Sequence, residues 1–114
     1  MKKNLIKMLI LDSLSIDDEP ISLIIRETKI ENDFRSRLKK KYRELEISEL
    51  NVIEAIKELF SDDMIMIYEL NDKNEIEFKN SYKIEFSNKD IIYLRITEKG
   101  SKWFNTKYDQ FWND

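Results

Sequence analysis

One glycine, Gly100, and one proline, Pro20, serve a chain of 114 residues. Left-handed turns and tight hairpins draw on those two residue types. Their scarcity argues against designs that need many of them, loop-rich and all-β folds above all. Long helices joined by simple turns, with a small amount of sheet, remain. The length suits one core, and residues 1–114 read as a single domain. With 41% hydrophobic and 38% charged residues, the chain has the apolar content of a folded protein and a heavily charged surface.

The sequence has neither cysteine nor histidine. Disulfides, thiolate nucleophiles and Cys- or His-ligated metals are thereby removed, together with the usual general base. Enzymatic activity, a metal and a cofactor are all unexpected. After Met1-Lys2-Lys3 a short apolar run is interrupted by Lys7 and closed by Asp12, with no small-residue cleavage site following. No stretch approaches the roughly 20 apolar residues of a membrane span. A cytoplasmic chain that does not engage a membrane is expected.

Residues 2–14 are apolar nearly all round, which predicts a centrally buried first helix. Asp18 or Glu19 before Pro20 reads as a second helix start with proline at the first position, and Ile21, Ile24 and Ile25 form its stripe to about Lys29. Asn32 or Asp33 is placed to cap a third helix through Phe34, Leu38, Tyr42 and Leu45. One bent helix or two over residues 20–45 are both compatible with this pattern. Ser48 is the predicted N-cap of the next helix, with Val52, Ile53, Ile56, Leu59 and Phe60 inward and Asn51, Glu54 and Glu58 outward.

Asp62-Asp63 closes that helix and a strand follows from Met64 to Leu70. After a turn at Asn71–Asn74, Ile76 and Phe78 and then Tyr82, Ile84 and Phe86 alternate as in a hairpin with its tip near Lys79-Asn80-Ser81. Ile92, Leu94 and Ile96 alternate in a closing strand, and Thr97 caps a last helix carrying Trp103 and Phe104. Phe111 and Trp112 are expected to help close the core. The acidic runs Asp17-Asp18-Glu19 and Asp62-Asp63 fit helix capping better than metal ligation.

A helix from Ser48 to Phe60 running into the strand at Met64-Ile65 resembles the recognition-helix-to-strand join of winged helix-turn-helix domains. Ile96-Thr97-Glu98-Lys99-Gly100, followed by Trp103, is similar to the motif that opens their final helix. Together these features cover roughly residues 33–112. They imply an α+β winged helix-turn-helix, with N-terminal helices, an extended antiparallel wing and a C-terminal helix. Such corners usually carry glycine where this chain has Asp62-Asp63, and the helix at 20–30 is extra to the minimal plan. Domains of this kind include transcription regulators and small bacterial immunity proteins that neutralise toxins.

Charge is the available discriminator. The chain is at −3, and the helix from Ser48 to Asp63 carries five carboxylates against one lysine, Lys57. Duplex DNA repels such a surface, since phosphate contacts need Lys and Arg. The expected function is therefore non-catalytic protein binding, as an immunity or antitoxin-like inhibitor that occludes a cationic toxin such as a nuclease. Its contact residues would be Glu49, Asn51, Glu54 and Glu58, with Glu75, Glu77 and Tyr82 from the wing. The alternative is a DNA-binding regulator using Arg35, Arg37, Lys40 and Arg43 on the basic third helix. A monomer and a homodimer are both compatible.

Overall fold

The structure, a computed structural model, describes residues 2–29, 37–80 and 89–112. Helix α1 (Lys2–Leu14) buries Leu5, Ile6, Met8, Leu9, Ile10, Leu11 and Leu14. These seven positions surround most of the helix, so it can only be central. It packs against α2 (Ile21–Lys29) and α4 (Glu49–Ser61), which also pack on each other. Together they form a three-helix core completed by a sheet.

Among the described residues four strands make that sheet: β1 (Glu19–Pro20), β2 (Ile65–Leu70), β3 (Ile76–Lys79) and β4 (Ile92–Ile96), in the order β1-β4-β2-β3 with every pair antiparallel. Ile65 lies opposite Ile96 and Ile67 opposite Leu94. Ile65, Ile67, Ile92 and Leu94 are buried against the helices. The period of two sends Met66, Tyr68 and Leu70 to the other face, with Phe78 and Tyr93 opposite Tyr68. Helix α5 (Glu98–Lys107) leads into a 3₁₀ turn at Tyr108–Gln110, and Phe111 and Trp112 are buried beyond it.

Several expectations need correction. Pro20 does not open a helix. It lies in β1 opposite Tyr93, and α2 starts one residue later. Proline lacks an N–H, which an outer strand of two residues tolerates. The helix at 20–30 is one of the three core helices and no addition to the plan.

The third helix predicted through Phe34, Leu38, Tyr42 and Leu45 is not continuous in its described part. Residues 37–39 are non-helical, Leu38 bridges Trp112, and only α3 (Lys40–Arg43) is helical. The Lys39 N–H donates to the Phe111 carbonyl at 2.8 Å, and the Tyr42 ring lies 5.2 Å from that of Phe111. Burial of Phe111 and Trp112 against this segment outweighs its local helical pattern. The proposed caps Asn32 and Asp33, Phe34, and the second hairpin arm with Tyr82, Ile84 and Phe86 lie outside the described residues.

Candidate functional site

Helix α4 is held at both ends. The Ser48 hydroxyl accepts from the Asn51 N–H at 3.1 Å, while the Asn51 side-chain oxygen accepts from the Ser48 N–H at 3.1 Å. This reciprocal box satisfies two of the donors that a helix start leaves open. At the other end Met64 N–H donates to the Leu59 carbonyl at 2.8 Å and Asp63 N–H to the Phe60 carbonyl at 3.1 Å. That is a Schellman closure, and it requires a left-handed residue beyond the cap. Asp63, with φ 59, supplies it in place of glycine.

The start of α5 is seated on the same corner. Thr97 N–H donates to the Met64 carbonyl at 3.1 Å and its hydroxyl to the Asp63 carbonyl at 2.6 Å. The same hydroxyl accepts from Gly100 N–H at 3.0 Å. A Cβ on Gly100 would collide with the Met64 carbonyl oxygen, which accounts for the glycine.

With Val52, Ile53, Ala55, Ile56 and Leu59 inward, α4 presents Leu50, Glu54, Lys57 and Ser61 outward at i, i+4, i+7 and i+11. Leu50 is 63% exposed although it is a large aliphatic side chain. The other acidic residues of the helix are tied down. Lys89 Nζ lies 3.0 Å from Glu49 Oε1, and the Lys89 carbonyl accepts from Ser22 N–H at the start of α2. Glu58 takes Lys3 of α1 at 3.1 Å and Lys7 at 4.0 Å. Among the described residues Glu54 forms no ion pair. It lines a shallow groove of about 190 Å³ with Lys2, Lys3, Ile6, Asn51 and Ala55.

The sequence-predicted contact residues thus divide. Glu54 faces outward as expected, whereas Asn51 is occupied in capping and Glu49 and Glu58 pair with lysines from other parts of the fold. On the wing Glu75 is exposed, and Glu77 lies 3.8 Å from Lys79. Of the alternative basic set, Arg37 sits over the Trp112 ring at 5.5 Å and Arg43 Nε donates to the Leu38 carbonyl at 2.7 Å. Lys40 is exposed on α3. Tyr82 and Arg35 lie outside the described residues. Leu50 and Lys57 were not singled out from the sequence, although their phase opposite Val52, Ile56 and Leu59 was readable.

Two other clusters stand apart from α4. On the sheet face turned away from the helices, Asp18 Oδ2 accepts from the Tyr68 hydroxyl at 2.8 Å and from Arg95 Nε at 2.9 Å. Arg95 lies over Tyr68 and Phe78, and Tyr68 stacks on Tyr93. The Asp18 contact raises the pKa of Arg95, and burial followed by Asp18 pushes the Tyr68 phenol up to about 12. Asp18 therefore clamps the sheet and does not cap a helix.

The second cluster lines a cleft of about 430 Å³ with Leu9, Asp12, Ser13, Ile16, Asp17, Glu19, Glu27 and Thr28. Burial, then the charge and hydrogen bond of Glu27, then Asp17, push Glu19 up to about 7. Burial also raises Asp12, against the lowering effect of Arg37. Among the described residues no three such groups are arranged to hold a metal ion, and no helix is long and apolar enough to cross a membrane.

No known family model matches this chain, and no curated protein matches its sequence. Among solved structures, a transcriptional regulator from Clostridium thermocellum superposes with a TM-score of 0.58, covering 94% of this chain and 80% of that one at 19% identity. At that identity the likeness is one of fold. The fold here is an α+β winged helix-turn-helix, and the likeness extends well before residue 33, where the sequence motifs began.

Proposed function

We propose that this chain is a non-enzymatic regulator that binds duplex DNA by laying the outward stripe of α4 in the major groove. One observation carries the reading. Ion pairs with Lys3, Lys7 and Lys89 neutralise Glu58 and Glu49, so the stripe itself holds one carboxylate, Glu54, and one ammonium, Lys57. Two of the five carboxylates that favoured a toxin inhibitor are thus paired with lysines of the same molecule, and nothing among the similar proteins points to a toxin partner. Likeness in fold to a transcriptional regulator supports the DNA reading.

Lys57 on the stripe supplies charge towards phosphates, with Lys40 on α3 a further exposed cation. The test is equilibrium binding to duplex DNA between about 50 and 200 mM salt, where counterion release makes log affinity fall linearly with log salt. Lys57→Ala should weaken binding evenly across sequences and lower the slope by about 1. Absence of duplex binding at the lowest salt overturns the reading.

A further inference from the structure

We propose that α4 reads a C·G pair through Glu54 and a thymine methyl through Leu50, so that an acidic residue acts as a specificity determinant. This rests on the DNA reading above and goes further by naming what the stripe selects. Glu54 is exposed and unpaired among the described residues, while the helix's two other glutamates are held by lysines. A lone carboxylate facing a polyanion loses affinity for every sequence unless something in the groove donates to it. The major groove has two amino donors, cytosine N4 and adenine N6, and a Glu side chain pairs with the first, because adenine sets its N7 acceptor beside the amino group.

Leu50 is 63% exposed at the N-terminal half of the helix, one turn before Glu54. Apolar side chains in the major groove meet the thymine C5 methyl, its one apolar feature. The four-residue separation is about 6 Å along the helix, against about 3.4 Å per base step, so the two side chains address pairs about two steps apart. Lys2 and Lys3 flank Glu54 across the small groove beside α1. Lys3 is taken by Glu58, and neither lysine forms an ion pair with Glu54.

Glu54 thus supplies discrimination at the expense of overall affinity, which separates it from a residue that merely decorates a solvated face. The experiment is selection of bound duplexes from a random pool by the native chain, Glu54→Gln, Glu54→Ala and Leu50→Ala, with thermal melts to show that each variant folds. The native chain should yield a motif with one invariant C·G column and a thymine about two pairs away. Glu54→Gln should move that one column towards A·T, since Gln pairs with adenine, and leave the others unchanged.

Glu54→Ala should flatten the column, costing about tenfold or more in discrimination there while raising affinity for unrelated DNA. Leu50→Ala should flatten only the thymine column. A native motif without a C·G column, or a Glu54→Gln motif identical in every column, overturns this assignment and leaves DNA binding standing. If the native chain enriches no duplex, both readings fall.

Discussion

At Asp63 the chain accepts a left-handed backbone that glycine would take without steric strain, and it places a carboxylate next to the negative end of the α4 dipole. Both effects oppose folding. Asp63→Gly should raise stability by about 1 kcal/mol in a denaturant melt, because the Thr97 hydrogen bond goes to the backbone carbonyl and survives the change. Glu19 makes a different kind of strain. Its folded pKa of about 7 lies above the ordinary 4.5, so the native state binds the proton more tightly than the unfolded chain does. The Glu19 contribution to stability is therefore fully present below about 4.5 and is lost as pH rises through about 7, and Asp12 adds to the trend in the same direction. Denaturation curves across that range should show the decline, and Glu19→Gln should flatten most of it. Neither effect was legible in the sequence. Asp17-Asp18-Glu19 looks like a helix start, and only the fold brings Glu27 beside Glu19 and Arg95 beside Asp18.

Elements whose formation depends on neighbours in sequence were the readable ones. Helix α1 has the predicted bounds because its apolar residues leave no alternative face, and α4 starts at the predicted Ser48. Ser48→Ala should cost about 1 kcal/mol, measured by chemical denaturation, since it breaks the accepting half of the box. Two elements decided by distant partners were misread, although the alternating strands at 65–70 and 92–96 were not. Glu19–Pro20 is a strand because β4 lies beside it, and Leu38-Lys39 is extended because Phe111 and Trp112 pair with it. Outward positions of α4 were legible from its phase, but the fate of Glu58 depends on Lys3 and Lys7, more than fifty residues upstream. The charge argument from composition treated all five carboxylates as equivalent, and the ion pairs make them unequal.

Over the molecule as a whole, the helix-facing side of the sheet closes the three-helix core, while its other side carries Tyr68, Tyr93 and Phe78 under the Asp18–Arg95 ion pair. Arg95→Met keeps much of the volume but leaves Asp18 with the Tyr68 hydroxyl alone. It should lower the melting temperature and also push the tyrosine titration further up, because the guanidinium charge of Arg95 holds the phenol down, readable by ultraviolet absorbance. The sole glycine has the widest consequence. Helix α5 meets the end of α4 through a contact that leaves no room for one methyl group on Gly100. A Gly100→Ala allele should therefore be conditional, working in cool-grown cells and failing on warming, and it would give genetics a handle on the chain without touching the surface of α4.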